Sequence, residues 1–133
     1  MTKKILIVSS NYYSDISNNL EKGAINSLKE YGFQYDLIHS PGCFEIPYLI
    51  KKHINKYLGF IALGCIIKGE TYHFEIISNE TSRKIMDLSV EHLVPIGLGV
   101  ITCYNFKQAI VRSDIEQKNK GREAALACIK LIK

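Results

Sequence analysis

The chain has 133 residues, of which 47% are apolar, and this size fits one domain with a core of its own. No linker-like stretch and no repeat divides it, so we expect a single domain over residues 1–133. The formal net charge of +4 is spread along the chain without a block of like charges. That distribution argues against a nucleic-acid arm or a polybasic membrane patch and fits a small anionic substrate better.

The sequence carries no targeting or metal-binding pattern. Residues 5–8 form an apolar run too short for a signal peptide, and no 18-residue apolar span appears elsewhere, so we expect a cytoplasmic protein. Four cysteines lie far apart: Cys43, Cys65, Cys103 and Cys128. They form no C-x-x-C pair and have no neighbouring histidine at zinc-ligand spacing. We therefore expect reduced, mostly buried thiols, with neither a metal nor a disulfide.

Strand-like and helix-like segments alternate along the first half of the chain. The predicted elements of this half are a strand at 4–9, a helix from Ile16 to Leu28 that stops at Gly32, a strand at 33–39, a turn at 41–42 and a helix at 46–54. The first helix is predicted because apolar side chains recur at i+4 from Ile16 onwards. Pro47 is tolerated in the second helix only near its first turn.

The second half continues the alternation. Its predicted elements are a strand at 59–67, a long helix at 74–92, a strand at 95–102 and helices at 105–112 and 121–132. The long helix is predicted to turn its apolar residues inward: Ile76, Ile77, Ile85, Met86, Leu88 and Val90. Small residues in the last helix imply close helix packing: Ala124, Ala125, Ala127 and Cys128.

Strands separated by helices imply a parallel sheet with right-handed crossovers and helices on both faces. We therefore predict an α/β fold, a three-layer α/β/α sandwich with a four-stranded parallel sheet in the flavodoxin-like order 2-1-3-4. Because the strand at 59–67 is apolar throughout, it is predicted to be buried on both faces. Polar residues directly after such a strand line the ligand crevice, and here they are Lys68, Glu70, Thr71 and His73.

Taken one at a time, these candidates also allow purely structural roles. His73 could cap a helix, Tyr12 could cover an edge of the core, and Glu45 could stabilise the first turn of a helix. Arg112 could complement a helix C-terminus, and Lys120 could be a solvated surface residue. The glycines match neither a Walker loop nor a dinucleotide fingerprint, so nucleotide phosphate binding lacks its motif.

Four blocks in order give the chain a family resemblance. Residues 41–47 (PGCFEIP) resemble P-G-[AS]-x-E-[IVL]-P, and residues 64–74 (GCIIKGETYHF) resemble G-x-[VL]-I-[RK]-G-x-T-x-H-[FY]. Residues 95–102 (PIGLGVIT) resemble P-[VI]-x-[FL]-G-[VI]-[LIV]-T. Residues 108–112 with 119–121 resemble the elements Q-A-x-x-R and N-K-G. Together these blocks are similar to those of the lumazine synthases and cover nearly the whole chain.

The resemblance implies an enzyme that condenses 5-amino-6-(D-ribitylamino)uracil with 3,4-dihydroxy-2-butanone 4-phosphate to 6,7-dimethyl-8-ribityllumazine. This is the penultimate step of riboflavin biosynthesis, it releases phosphate and water, and it uses no cofactor. His73 matches the acid/base histidine, and an imidazole can give and take a proton near neutral pH. The enzyme otherwise supplies orientation of intermediates that are inclined to react.

The same resemblance assigns substrate contacts position by position. For the ribitylaminouracil they are Tyr12, Cys43, Phe44, Glu45, Cys65, Ile66, Ile67 and Leu98, the last from a neighbouring subunit. For the butanone phosphate they are Glu70, through its backbone N–H, with Thr71, Arg112 and Lys120. Three positions depart from the usual family residue: Tyr13 for asparagine, Lys68 for arginine and Leu98 for phenylalanine. These departures bear on substrate affinity more than on reaction type.

The resemblance also implies partners. We expect small-molecule substrates and a homopentamer, with neither nucleic acid nor membrane as a partner. A shell of 60 subunits and an association with riboflavin synthase are left open. The stretch 113–118 is short, as in shell-forming members, but the chain begins closer to its first strand than many of them do.

Two other classes of protein remain as alternatives. One is a flavin- or lumazine-binding protein without turnover, and the other is a scaffold whose product is the assembly itself. A binding protein needs Tyr12 but no phosphate-binding residue, and a scaffold needs none of the site residues. The presence of both His73 and Arg112 therefore favours the enzyme. A flavodoxin would show a Ser/Thr-rich phosphate loop after the first strand, and residues 9–13 are a poor version of one.

Overall fold

The computed structural model describes residues 3–132, and strands alternate with helices throughout that part of the chain. In chain order the elements are β1 (Ile5–Ser10), α1 (Ser14–Glu30), β2 (Tyr35–Ser40), α2 (Ile46–Lys52), β3 (Gly59–Ile67), α3 (His73–His92), β4 (Ile96–Cys103), α4 (Phe106–Ser113) and α5 (Lys120–Ile132). A short 3-10 turn, Cys43–Glu45, precedes α2. Residues 1, 2 and 133, which the single-domain expectation includes, lie outside the described residues.

The four strands form one parallel sheet in the order β2-β1-β3-β4. This confirms the predicted α/β fold and the 2-1-3-4 order. β1 is buried along its whole length and β3 along all but its last residue, because helices cover both faces of the sheet. All carboxyl ends of a parallel sheet meet at one edge, so the loops after β1, β2, β3 and β4 share a rim.

Two apolar cores lie on opposite faces of the sheet, since alternate strand residues point to opposite sides. Ile5 and Ile7 pack with α1 and α5, whereas Leu6 and Val8 pack with α2 and α3. The close approach of α5 to β4 requires a glycine, because a Cβ on Gly97 would overlap the backbone of Ala124. The result is the predicted three-layer arrangement.

The predicted orientation of α3 is wrong for three of its apolar residues. Ile85 and Leu88 are buried against the sheet, but Ile76, Met86 and Val90 are 47%, 67% and 68% exposed within the chain. Helix α3 therefore carries a second apolar stripe that no part of the described chain covers. Ala127 of α5 is likewise exposed rather than packed.

Two further expectations concern membranes and cysteines. Across residues 3–132, no helix combines the length and apolar character that a membrane crossing requires. All four cysteines are buried, as predicted.

Candidate active site

A cavity of about 650 Å³ opens at the carboxyl edge of the sheet. It lies between the ends of β1 and β3, the 3-10 turn and the start of α3. It brings together these predicted site residues: Tyr12, Cys43, Phe44, Glu45, Cys65, Ile66, Ile67 and His73. The other predicted site residues do not line it: Glu70, Thr71, Leu98, Arg112 and Lys120. Residues of the lining that the sequence did not single out as site residues are Ser10, Tyr13, Pro41, Gly42 and Ile77.

One wall of the cavity is the projecting end of β3. The pairing of β1 with β3 stops at Ser9 opposite Leu63, whereas β4 continues to pair with β3 as far as Ile67. Over residues 64–67, β3 therefore extends beyond β1 while β4 holds it in place. On its cavity side, this segment therefore extends past the last residue pair between β1 and β3.

The floor of the cavity depends on a glycine. A Cβ on Gly64 would lie 2.6 Å from Cys43 Sγ and 3.3 Å from Ser10 Cβ, which is too close for both neighbours to keep their places. The glycine in β3 thus allows the 3-10 turn to pack directly on the strand. The sequence marked Gly64 only as part of a motif, because the contact joins residues far apart in the chain.

The two thiols beside the cavity are neutral at pH 7. Cys43 Sγ makes a weak hydrogen bond to Cys65 O over 4.0 Å. Burial raises the pKa of Cys43 to about 11 and the pKa of Cys65 to about 12. Because the thiolate is the nucleophilic form, neither cysteine is prepared for attack on a substrate at neutral pH.

Two tyrosines after β1 form the mouth of the cavity. The Tyr12 ring is 74% exposed there, while Tyr13 packs partly against the core below α1. The ring centroids lie 5.0 Å apart with planes at 84°, and Tyr13 in turn contacts Phe106 at 6.5 Å. Burial, and to a smaller extent Tyr12, raises the pKa of Tyr13. Tyr13 therefore supports the Tyr12 ring, most of which remains exposed.

His73 is the first residue of α3, and its exposed side chain lines the cavity. Its backbone N–H donates a long hydrogen bond, 3.4 Å, to Thr71 Oγ1. Glu70 and Thr71 lie in the exposed loop before the helix. The imidazole is thus carried on a helix start rather than on the preceding loop.

The loop before His73 is anchored by contacts with the last residue of β4 and the residue after it. Lys68 N–H donates to Cys103 O at 2.9 Å, and the Lys68 ammonium lies 5.6 Å from the centre of the Tyr104 ring. The Tyr104 ring also contacts Phe74, with 6.2 Å between centroids. These contacts link both ends of the loop to the chain directly after β4.

Arg112 lies in the last turn of α4, half-buried, outside the cavity lining. Burial raises the pKa of the Cys103 thiol, and the positive charge of Arg112 opposes that rise. The guanidinium therefore lies close to the carboxyl end of β4. It shares the rim with the cavity, although its side chain does not enter it.

Lys120 begins α5, and its ammonium pairs with the Glu123 carboxylate at 3.2 Å. The other two residues of the N-K-G block, Asn119 and Gly121, have structural roles. Asn119 adopts a φ of 47°, a region that Asn tolerates better than most residues. A Cβ on Gly121 would overlap the backbone of Leu20. The block thus sets α5 against α1.

Leu98 lies outside the cavity, on the face of β4 that α3 covers. It is 49% exposed and borders a second hollow of about 420 Å³, whose other apolar residues are Ile85, Met86, Val90 and Ile96. We call Met86, Val90 and Leu98 the α3–β4 apolar surface.

The fold and the cavity together define an α/β enzyme with a ligand pocket at the carboxyl edge of a parallel sheet. The family model described as 6,7-dimethyl-8-ribityllumazine synthase matches residues 2–133. The chain therefore belongs to the 6,7-dimethyl-8-ribityllumazine synthase family.

Relatives that carry this name are similar along nearly their whole length. The relative from Bartonella bacilliformis is 45% identical, over 96% of this chain and 87% of its own. The one from Agrobacterium fabrum is 44% identical over 96% of this chain and 91% of its own. The relative from Zymomonas mobilis is also 44% identical, over 95% and 91% of the two chains.

Proposed function

We propose that this protein condenses 5-amino-6-(D-ribitylamino)uracil with 3,4-dihydroxy-2-butanone 4-phosphate, giving 6,7-dimethyl-8-ribityllumazine, phosphate and water. This is the penultimate step of riboflavin biosynthesis. The observation that carries the proposal is the single cavity that Tyr12, the end of β3, the 3-10 turn and His73 share. Residues 1–133 form one catalytic domain in this proposal.

The uracil ring lies between Tyr12 and the projecting end of β3. An exposed aromatic face suits a flat heterocycle, and the peptide groups of residues 65–67 can pair with its edge as a neighbouring strand would. The ribityl chain runs along Cys43, Phe44 and Glu45. These assignments are supported by the lining of the cavity.

His73 moves protons during the condensation. The 5-amino group attacks the ketone carbon, and the carbinolamine loses water to give an imine. Phosphate then leaves, and the ribitylamino nitrogen closes the second ring with loss of another water. His73 can take a proton in one step and return it in a later one, while the cavity holds the reactants in contact. The neutral thiols of Cys43 and Cys65 need take no part, and no cofactor is required.

Arg112 binds the phosphate of the butanone substrate. The backbone N–H of Glu70 and the hydroxyl of Thr71 donate further hydrogen bonds to it. The position of Arg112 near the carboxyl end of β4 supports this role, because that is the rim on which His73 lies. Lys120 is the weakest of these assignments, since its ammonium already pairs with Glu123. We propose it as an outer, electrostatic contribution.

The active assembly is a homopentamer in the cytoplasm, with Leu98 covering the substrate of a neighbouring subunit. The support is the α3–β4 apolar surface, which the described chain leaves uncovered and which includes Leu98. Exposed apolar surface of this kind is typical of subunit contacts. The proposed pentamer is compatible with two larger assemblies. One is a shell of 60 subunits built from stacked pentamers, and the other is an association with riboflavin synthase.

The test is the absorbance of newly formed lumazine when the purified protein meets both substrates. We expect Arg112→Ala to lose most activity and His73→Ala to be slower by about 100-fold or more, since one acid/base group contributes about 100- to 10,000-fold. His92→Ala, at the other end of α3, and Arg122→Ala, on α5, are the matched controls and should remain close to wild type. A wild-type protein that binds riboflavin but forms no lumazine above the spontaneous background would identify a binding protein instead.

A further inference from the structure

A buried serine hydroxyl lies at the floor of the cavity, and no role proposed above uses it. Ser10, the last residue of β1, is 2% exposed and lines the cavity. Within the described chain its Oγ has no hydrogen-bond partner of regular geometry. A buried hydroxyl without a partner lowers stability, so such a group in a ligand cavity calls for an explanation.

Neighbouring residues fix the backbone of Ser10, but they give its hydroxyl no hydrogen bond of regular geometry. The hydroxyl lies beside the buried Cys43 thiol and, as a hydrogen-bonding neighbour, opposes part of the rise in the pKa of that thiol, but the contact lacks regular hydrogen-bond geometry and sulfur is a weak hydrogen-bonding group. The missing side chain of Gly64 leaves room for both residues. The Ser10 carbonyl accepts a 2.6 Å hydrogen bond from Ser17 Oγ, and the residue pairs with Ser40 in the sheet. The backbone of Ser10 is thus fixed before any ligand arrives.

Two other hydroxyls provide a contrast. Ser78 Oγ and Thr81 Oγ1 are also buried without a partner, but both belong to α3 and neither lines the cavity. Of the three residues, Ser10 is the one that lines the cavity. The lining residues include no Lys or Arg but do include Glu45, so this cavity does not suit the phosphate or another anionic group.

We propose that Ser10 Oγ is a specificity-determining contact to an uncharged polar group of the ribitylaminouracil substrate. This inference rests on the proposed function, because it takes that substrate as the occupant of the cavity. Ser10 lies beside both Gly64 in β3 and Cys43 in the 3-10 turn, hence next to the segments assigned to the uracil edge and to the ribityl chain. A hydroxyl both donates and accepts, so it matches a ring carbonyl, a ring N–H or a ribityl hydroxyl. The butanone phosphate lies elsewhere, near Arg112.

The experiment compares Ser10→Ala with Ser27→Ala in the full-length protein. Ser27 is a matched control because it is fully buried but donates to Gly23 O, far from the cavity. Two quantities are measured: KM for each substrate in the lumazine assay, and the equilibrium dissociation constant of 5-amino-6-(D-ribitylamino)uracil alone, under anaerobic conditions, by tyrosine fluorescence. For Ser10→Ala we expect KM and the dissociation constant for the ribitylaminouracil to rise about 3- to 10-fold, as for the loss of one hydrogen bond. KM for the butanone phosphate should change less than about twofold.

The melting temperature separates binding from packing. Ser10→Ala should melt at or above the wild-type temperature in the absence of ligand, because the variant removes an unsatisfied hydroxyl. Equal affinity of Ser10→Ala and wild type would overturn the proposal, as would equal losses for both substrates with a lower melting temperature. If the wild type binds the uracil but makes no lumazine, the proposed function fails and the dissociation constants still decide the role of Ser10. If the wild type does not bind the uracil, both fail.

Discussion

At the scale of single residues, Gly64 determines how closely the 3-10 turn approaches β3. We predict that Gly64→Ala destabilises the protein by about 1–3 kcal/mol, because the new methyl group would meet Cys43 Sγ at 2.6 Å. In a Cys43→Ala background the same substitution should cost about 1 kcal/mol less, since the sulfur is gone. Urea unfolding of the four proteins at one protein concentration measures this coupling.

The control is Gly69→Ala, because a Cβ at Gly69 meets nothing within 4 Å. It should leave the free energy of unfolding within about 0.5 kcal/mol of wild type. Equal penalties for Gly64→Ala in both backgrounds would contradict the packing described for the floor of the cavity.

The buried thiols predict a loss of stability at alkaline pH. Burial raises the pKa of Cys43 from an ordinary value near 9 to about 11, and those of Cys65 and Cys128 to about 12. Below pH 9 the thiols are protonated in both states, so their contribution to stability is fully present. As the pH rises above 9, only the unfolded chain releases its protons, and each thiol then reduces stability by at most about 1.4 kcal/mol per pH unit.

Urea unfolding between pH 7.5 and pH 10.5 tests this dependence. The free energy of unfolding should fall with pH in the wild type, and it should fall less steeply in Cys43→Ala. Identical slopes for the two proteins would show that Cys43 does not contribute, contrary to the burial found here.

At the scale of elements, the β3–α3 loop presents His73, and Tyr104 holds that loop from the end of β4. Tyr104 contacts Lys68 before the loop and Phe74 after it. We predict that Tyr104→Ala lowers kcat about 3- to 10-fold with little change in stability, because contacts of this kind contribute about 0.5–1.5 kcal/mol each. Hydrogen exchange at residues 68–76 should become faster.

Tyr48→Ala is the matched control, since Tyr48 is similarly exposed on α2 and is not among the cavity-lining residues. It should leave both kcat and exchange at residues 68–76 unchanged. Unchanged exchange in Tyr104→Ala would mean that the loop is held by its backbone bond to Cys103 alone.

At the scale of the whole molecule, the homopentamer that we propose would link assembly to activity through the α3–β4 apolar surface. We predict that Val90→Asp yields a folded monomer that makes little lumazine, because a buried charge in a subunit contact is costly and Leu98 then covers no neighbouring site. Sedimentation velocity gives the oligomeric state, circular dichroism the fold and the lumazine assay the activity.

Leu131→Asp provides the comparison, because Leu131 is equally apolar and exposed but belongs to α5 on the other face of the sheet. It should keep the wild-type sedimentation coefficient. If Val90→Asp also keeps it, the surface is not the contact that we propose.

Much of the fold followed from local patterns. The period of apolar residues distinguished strands from helices, so every predicted element was found, with ends that differ by a few residues. Pro47 fell in the first turn of α2, as its missing N–H required. The orientation of α3 did not follow, because a helix with two apolar stripes satisfies the same period whichever stripe faces the sheet.

The sequence by itself determined the helices and strands, the parallel sheet and the family, because these depend on periodicity, on alternation and on contiguous motifs. The tertiary structure alone decided that Ser10 and Gly64 meet Cys43 at the cavity floor, that β3 projects beyond β1, and that Leu98 lies outside the cavity of its own chain. It also explained the N-K-G block by the packing of α5 on α1. These features arise from contacts between residues distant along the chain, and no local pattern encodes which of them meet.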